Sequence, residues 1–578
     1  MLGFLLSFLV IGILLVALVA GIINSAEKDE TVSVSANSVL HLDLDEPITE
    51  REPRKSTLDR YLDKFEGSRR LGLKEILQGI RGAKTDDKIK GIYLDAEQLQ
   101  AGLATVEEIR EALIDFKKSG KFIIAYSEVY TQKAYYLASV ADKIYLNPEG
   151  LLEFKGFSSN ITFFKGALAK LEIEPQVIKV GTYKSAVEPF VLDKMSEPNK
   201  EQVTSFLGSM YQHFLERISA SRKIPQDSLF AIANQLKVQD AASAVDYRLA
   251  DALKYKDEVL NELKAKTGID AKDEIKAVSI KDYDPTEEDK DEVPDERIAV
   301  IYANGDITGG EGNDETIGSE RISRAIRKVR TDKKVKAVVL RVNSPGGSAL
   351  ASDVIWREVV LTKKVKPVIV SMGDVAASGG YYIACAADSI FAQPNTITGS
   401  IGVFGIIPNM QKFFNRKLGI TFDRVKTAEH ADLGTVTRPL TEAEKLIIQK
   451  EVNRIYESFT KRVADGRRKT QVYVNSIAQG RVWSGVEALN NGLIDRLGNM
   501  EDAIKSAAKM AKLTNYKVVD YPAQRDKFQS LFGDSADKIH EYFAKRELGD
   551  QYVLYKQVKK ALTLKGVQVR LPYDFSVQ

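Results

Sequence analysis

One feature limits this 578-residue chain more than any other: it contains itself twice. Ala134-Tyr-Tyr-Leu-Ala-Ser-Val-Ala-Asp-Lys-Ile-Tyr-Leu-Asn-Pro148 is echoed by Gly380-Tyr-Tyr-Ile-Ala-Cys-Ala-Ala-Asp-Ser-Ile-Phe-Ala-Gln-Pro394, an offset of 246 residues from Tyr135 to Tyr381. Further on, Leu249-Ala-Asp251 matches Leu493-Ile-Asp495, an offset of 244. So steady an offset means that a whole domain has been duplicated.

Each copy alternates short apolar runs with amphipathic helical patterns. In the first these are a strand over Ile89 to Leu94, a helix over Thr105 to Phe116 and a strand over Phe122 to Tyr126. In the second they are Val335 to Val342, Leu350 to Leu361 and Val368 to Met372. That alternation predicts an α/β fold of βαβ units with largely parallel sheets, which place their sites at the strand ends. The expected organisation is a first α/β repeat over 36–280, an acidic, proline-bearing linker over 281–296 and a second α/β repeat over 297–515. A mostly helical C-terminal segment, 516–578, carries no recognisable chemistry.

The N-terminus sets the expected compartment. Leu2 to Ile23 is apolar and uncharged, long enough to span a bilayer and longer than the core of a cleaved signal peptide. It predicts a transmembrane anchor over 1–26, and the acidic stretch Glu27-Lys28-Asp29-Glu30 favours export of everything downstream. The 83 basic and 80 acidic side chains nearly cancel, which gives no reason to expect nucleic acid as a partner. A single cysteine, Cys385, excludes an internal disulfide framework and any multi-cysteine metal site.

The chemistry lies where the copies differ. The second carries two glycine-rich corners after strands, Arg341-Val-Asn-Ser-Pro-Gly-Gly-Ser348 and Asp374-Val-Ala-Ala-Ser-Gly-Gly-Tyr-Tyr382. Glycines let backbone N–H groups approach a ligand closely, as an oxyanion hole requires. The amide of Gly379 and that of Gly346 or Gly347 are the candidate donors. In the first copy Gln132 stands opposite Ser378, Lys133 and Ala134 replace Gly379 and Gly380, and Asp95-Ala-Glu-Gln-Leu99 replaces the other corner. Conversely, the first copy has Lys184 in Gly181-Thr-Tyr-Lys-Ser185, while the matching Val425-Lys-Thr-Ala-Glu-His430-Ala431 has no lysine opposite it. Each half keeps what the other lacks.

A serine hydroxyl needs a base to become a nucleophile. The histidines are His41, His213, His430 and His540, and none adjoins a glycine-rich corner. His430 and Lys184 are the two candidates. For Lys184 to accept a proton near neutral pH its pKa must fall from about 10.4 to about 7, a cost of about 4 kcal/mol that burial or a neighbouring cation can supply.

These residues resemble signal peptide peptidase A in its long two-repeat form, a membrane-bound bacterial serine protease of the Clp-protease and crotonase superfamily. The likeness rests on Arg341-Val-Asn-Ser-Pro-Gly-Gly-Ser348, Ala376-Ala-Ser-Gly-Gly380, Thr398-Gly-Ser-Ile-Gly402 and Gly181-Thr-Tyr-Lys-Ser185. The resemblance implies Ser378 as nucleophile, Lys184 as its general base and Ser400 beside the lysine, with no metal or cofactor. It further implies a homotetramer at the bacterial inner membrane, single-pass, with its bulk periplasmic, degrading cleaved signal peptides and other short apolar peptides. Two rival expectations stand beside it: a crotonase-like enzyme acting on acyl-CoA, which shares the fold, and a catalytically silent membrane scaffold.

Overall fold

A computed structural model describes residues 34–52, 71–285, 294–524, 552 and 567–570. The anchor expected over 1–26 lies outside these residues. Among the described residues no helix is long and apolar enough to cross a membrane.

The first repeat comprises β1 (Ser38–Asp43), α1 (Leu73–Thr85), β2 (Ile89–Asp95), α2 (Leu103–Lys117), β3 (Phe122–Tyr130), α3 (Gln132–Ala138), β4 (Lys143–Leu152), β5 (Glu174–Val180), α4 (Glu197–Arg222), β6 (Ala252–Leu253), α5 (Lys256–Thr267) and β7 (Ala277–Ser279). In the second repeat, β8 (Arg297–Asn304), β9 (Asp306–Thr308) and β10 (Thr316–Gly318) precede α6 (Ser319–Thr331). Then come β11 (Val335–Ser344), β12 (Gly346–Ser348), α7 (Ala349–Lys363), β13 (Val368–Ala377), α8 (Gly379–Ala384), β14 (Ser389–Ala392), β15 (Ile397–Gly399) and β16 (Val403–Asn409). After α9 (Glu442–Arg467) follow β17 (Val482–Ser484), β18 (Arg496–Leu497), α10 (Met500–Ala511) and β19 (Lys517–Tyr521). Of the C-terminal segment 516–578, expected to be mostly helical, the described residues include two strands, β19 and β20 (Gln568–Arg570).

The duplication is legible strand by strand. The first sheet runs β6-β4-β3-β2-β1-β7, and the equivalent strands of the second run β18-β14-β13-β11-β8-β19, every one of these pairings parallel. Parallel strands are covered on both faces, which explains the nearly unbroken apolar run of β11. Alternate residues serve opposite sides. Val338, Leu340 and Val342 pack with Ile322 and Ile326 of α6 and Ile355 and Val359 of α7. Ala337 and Val339 pack with Ala503 and Ala507 of α10. In the first repeat Ile92 and Leu94 meet α1 and α2, while Tyr93 meets Val259 and Leu263 of α5. Each such Val, Leu or Ile side chain, taken fully out of water, stabilises by about 1.5 to 3 kcal/mol.

Helix α2 departs from the simple amphipathic pattern: Thr105, Glu107, Glu108 and Arg110 are all buried along with its apolar residues. The second repeat covers Thr105 and Glu108, while Glu107 and Arg110 are enclosed within the first repeat, Glu107 by Tyr136 and Arg217 and Arg110 by Ser139, Ser221 and the carbonyls of Tyr136 and Arg217. Gly102, at the N-cap, has no side chain to cap the helix. Asp374 supplies the cap from the other repeat, accepting from the Thr105 amide at 2.9 Å and from Thr105 Oγ1 at 2.6 Å. One turn on, Glu108 Oε1 lies 2.7 Å from the guanidinium of Arg341, which also holds Glu50 Oε2 at 2.8 Å and donates to Ser371 Oγ at 2.9 Å. Arg341 is fully buried.

Two carboxylates facing one buried guanidinium cannot both be comfortable as anions. Burial pushes Glu108 up to about 7, an effect that Glu50 reinforces and Arg341 opposes. Glu50→Ala should therefore destabilise the fold by about 3 to 5 kcal/mol, because it strips a partner from a buried cation, whereas Glu108→Gln should cost less than half of that in urea unfolding. Since the folded protein holds the Glu108 proton more tightly than the unfolded chain, wild-type stability from this group falls as pH rises from about 4.5 to 7. The stability of Glu108→Gln relative to wild type should climb across that window, and a flat difference would contradict the assignment.

Candidate active site

Ser378 sits where β13 ends and α8 begins, with φ of +54°. That left-handed backbone is costly for a residue with a Cβ, and it turns the side chain out of the strand's line at a sharp strand-to-helix corner. The corner is fixed by its neighbours: the Ser378 amide donates to the Gly399 carbonyl at 2.8 Å, and the Tyr382 amide donates to the Ser378 carbonyl at 2.8 Å. The loop after β15 places Ser400 alongside, its own amide donating to the Arg481 carbonyl at 2.7 Å.

Lys184 arrives from the first repeat. Strand β5 runs antiparallel to β16, from Glu174 opposite Asn409 to Val180 opposite Val403, so the first repeat reaches across and ends beside the second repeat's corner. Beyond β5 the Tyr183 amide donates to the Gln479 carbonyl at 2.8 Å. Gln202 of α4 steadies the same turn, donating to the Tyr183 carbonyl at 3.1 Å and to Ser185 Oγ at 2.8 Å, while its Oε1 accepts from the Val482 amide at 3.1 Å. Gly480 is pressed against the lysine backbone: a β-carbon there would come within 2.6 Å of the Lys184 nitrogen. No larger residue could close this side.

The result is a contact between the repeats. Lys184 Nζ lies 3.0 Å from Ser378 Oγ, 3.0 Å from Ser400 Oγ and 3.1 Å from the Ser400 carbonyl oxygen. Lys184, Ser378 and Ser400 are all 0 % exposed. Among the described residues Lys184 has no salt-bridge partner, and burial alone holds its pKa well below the usual lysine value. A neutral amine fits these three contacts completely. In that form it would donate its two hydrogens to the Ser400 oxygens and accept the Ser378 hydroxyl proton on its lone pair, whereas an ammonium would donate to all three.

The glycines named from the sequence surround this contact unequally. Gly379 occupies the first turn of α8, where amides have no intrahelical acceptor. Gly346, with φ of +103°, comes so close that a β-carbon on it would sit 2.7 Å from the Gly379 amide nitrogen. The Gly346 amide is turned toward Ser344 Oγ at 3.1 Å. Gly347 is in β12, opposite Ile307 of β9. His430, the rival base, faces Glu444 instead, with Nδ1 3.8 Å from Oε1, and is more than a third exposed. His41 contacts Asp95, His213 faces Glu107, and His540 lies outside the described residues. The thiol of Cys385 is buried and pushed up to about 12, so it offers no competing nucleophile.

Sequence reasoning missed the enclosing groups. Gln479, Gly480 and Gln202 shape the lysine's compartment and belong to no motif, while Ser344, which engages a corner amide, lies inside the quoted Arg341–Ser348 corner without having been given a role. The one available signal was Gly480 beside Arg481 at the end of an apolar helix pattern, which reads as an ordinary helix stop.

Comparison with known proteins gives the family. The family model described as Peptidase family S49 matches residues 115–270 and again 361–514, once in each repeat. Protease 4 of Salmonella typhi is 40% identical over 458 residues, covering 77% of this chain and 73% of that protein. Protease 4 of Haemophilus influenzae is 37% identical over 518 residues, 87% of this chain and 83% of that one. The chloroplastic serine protease SPPA of Arabidopsis thaliana is 35% identical over 456 residues, with 78% and 67% covered. Matched by the family model in both halves and by these proteases over most of its length, the chain is a serine protease of peptidase family S49.

Proposed function

We propose that Ser378 is the nucleophile and Lys184 its general base, and that the chain is a membrane-anchored endopeptidase degrading cleaved signal peptides and other short apolar peptides outside the cytoplasm. The observation that carries the reading is the 3.0 Å approach of a buried amine, without a counter-charge among the described residues, to a buried serine hydroxyl. The uncharged stretch from Leu2 to Ile23 supports the anchor. A homotetramer and a periplasmic setting belong to the same proposal, as does a Clp-protease-like ancestry for each repeat.

In the acylation step Lys184 removes the Ser378 proton as Oγ bonds to the peptide carbonyl carbon, and the carbonyl oxygen becomes an oxyanion held by glycine amides, Gly379 foremost with Gly346 or Gly347. Collapse breaks the C–N bond, and the lysine gives its proton to the departing amine. In the second step water attacks the ester, Lys184 takes the water's proton, and Ser378 leaves as the alcohol after receiving it. Ser400 holds the amine so that its lone pair faces Ser378. No cofactor takes part in this scheme. A crotonase-like reaction on acyl-CoA has no use for an activated serine, and a silent scaffold has none for a neutral lysine.

Lys184→Ala should lower kcat on an unfolded apolar peptide by about three orders of magnitude or more and abolish Ser378 labelling by a fluorophosphonate, with the melting curve still cooperative. Retained labelling at the wild-type rate would refute the base assignment.

The lowered lysine pKa has a signed consequence. The unfolded chain binds this proton more tightly, so wild-type stability from Lys184 rises with pH, from the folded value up to about 10.4. Lys184→Met, which carries no such burden, should gain stability relative to wild type as pH is lowered from 10 toward 7 in chemical denaturation. The wild-type labelling rate should rise with pH along a limb centred well below the ordinary lysine range. A labelling midpoint near 10.4 would contradict a buried neutral base.

A further inference from the structure

The strand that carries the nucleophile is irregular just before it reaches the corner. Along the β11–β13 ladder Val342 stands opposite Met372 and Ser344 opposite Ala376, so Asn343 alone faces Gly373, Asp374 and Val375. Such a bulge re-aims whatever follows it, and Ser378 follows Val375 by three positions. The backbone groups that have left the ladder need other partners, and side chains fasten each bulged residue. The Gly373 carbonyl accepts from Thr396 Oγ1 at 2.8 Å. Asp374 is tied to Thr105 of the first repeat. The Val375 amide donates to Asn343 Oδ1 at 3.2 Å, and Asn343 Nδ2 in turn donates to Glu50 Oε1 at 3.0 Å. The other oxygen of Glu50 accepts from Arg341 Nε at 2.8 Å. Arg341 and Asn343, two apart on β11, send their side chains to one face, and a single carboxylate of the first repeat grips both.

The first repeat closes its own bulge differently. At the offset of 246, Ser127 stands where the second repeat has Gly373, and β3 has an irregularity between Ser127 and Val129. There Ser127 Oγ accepts from the Val129 amide at 3.2 Å and donates to the Val129 carbonyl at 2.7 Å, with no help from the other repeat. In the second repeat a β-carbon at Gly373 would come within 2.7 Å of Glu50 Oε1 and 3.0 Å of Asn343 Cγ. The room that a serine side chain would take is filled by the contact between Glu50 and Asn343. The half that carries Ser378 is thus fastened from its neighbour at the point where the other half is fastened locally.

We propose that Glu50 is a positioning residue for Ser378: through Asn343 and the Val375 amide it fixes the bulge that aims the nucleophile, so that the first repeat sets the serine's orientation as well as delivering the lysine. The proposal rests on the Ser378 and Lys184 reading of the site. Glu50 touches neither substrate nor reacting atoms. It governs how well Ser378 Oγ is placed between Lys184 Nζ and the carbonyl carbon, which is expressed in kcat, and a misplacement of about 1 Å is enough to lower a rate about a hundredfold. The two oxygens of Glu50 divide the work: one holds Arg341 and serves stability, the other holds Asn343 and serves aim.

The test rebuilds this contact in the full-length protein with donor and acceptor exchanged. Asn343→Asp still offers the Val375 amide an acceptor but sets carboxylate against carboxylate. Glu50→Gln, with its oxygen turned to Arg341, sets a donor against the Asn343 amide. Each single variant should lower kcat on an unfolded apolar peptide about tenfold or more, the effect of one misplaced hydrogen bond, with KM little changed and fluorophosphonate labelling of Ser378 slowed in proportion. In the double variant the amide at position 50 donates to the carboxylate at position 343 and the charge facing Arg341 is conserved, so kcat should return to within about threefold of wild type, a coupling that independent losses of stability do not produce. If Glu50→Gln fails to fold, Asn343→Ala, which leaves the pairing of Glu50 with Arg341 intact, should show the same kcat loss with a cooperative melting transition. A double variant no more active than either single, an Asn343→Ala protein with wild-type kcat, or a loss confined to KM would overturn the proposal. Cleavage surviving Ser378→Ala would instead sink the underlying reading, so the two failures are distinguishable.

Discussion

A lysine amine held in a dry compartment with no anion beside it among the described residues is the constraint around which this molecule is arranged. An ammonium there would be desolvated without compensation, so burial favours the neutral amine, the form whose lone pair the proposed mechanism uses. That state requires complete enclosure, and the enclosure comes from both repeats: Tyr183 and Gln202 from the first, Ser400 and Gly480 from the second. The inter-repeat contacts elsewhere maintain the same alignment. Asp374, four residues before Ser378, caps α2, and Arg341, three residues before Ser344, binds Glu50 and Glu108.

The two halves diverged at their corners while the scaffold behind the corners stayed common. In the second repeat Tyr382 donates to Asp353 at 2.8 Å, and Arg462 contacts both, at 2.7 Å from the hydroxyl and 2.8 Å from the carboxylate. The first repeat has the same trio as Tyr136, Glu107 and Arg217, with Arg217 2.6 Å from Glu107. This arrangement anchors α8 in one half and α3 in the other. Gln132, opposite Ser378, has become structural: its Oε1 accepts from the amides of Lys155 and Gly156 at 3.0 and 2.9 Å. The position that holds Ser378 in the second half is a loop fastener in the first.

Much of this was legible in the sequence because periodicity and complementary loss are local or pairwise signals. The strands expected over Ile89 to Leu94 and Val335 to Val342 form within larger strands, and the helices over Thr105 to Phe116 and Leu350 to Leu361 are there with one to two residues added at each end. Lys184 and Ser378 could be picked out because each is missing from the opposite copy. The burial of Glu107, Glu108 and Arg110 could not, since a charged helical face looks the same whether water, a later helix of the same repeat or a second repeat covers it. Nor could the placement of Gln568–Arg570, whose partners lie more than 160 residues away and are bonded through their backbones. The three contacts of Nζ likewise needed coordinates, for the Gly480 that closes the compartment belongs to no motif.

The division of the lysine and the serine between halves 194 positions apart has a bearing on how the chain is born. Synthesis proceeds from the N-terminus, so the amine emerges long before its partner, and Gly480 later still. On the proposed roles, a nascent chain that holds the first repeat alone lacks both the serine and the Gly480 wall, and its lysine, still wet, stays protonated. Competence would then be deferred until the second repeat has folded onto the first, a timing device that costs no separate inhibitory domain.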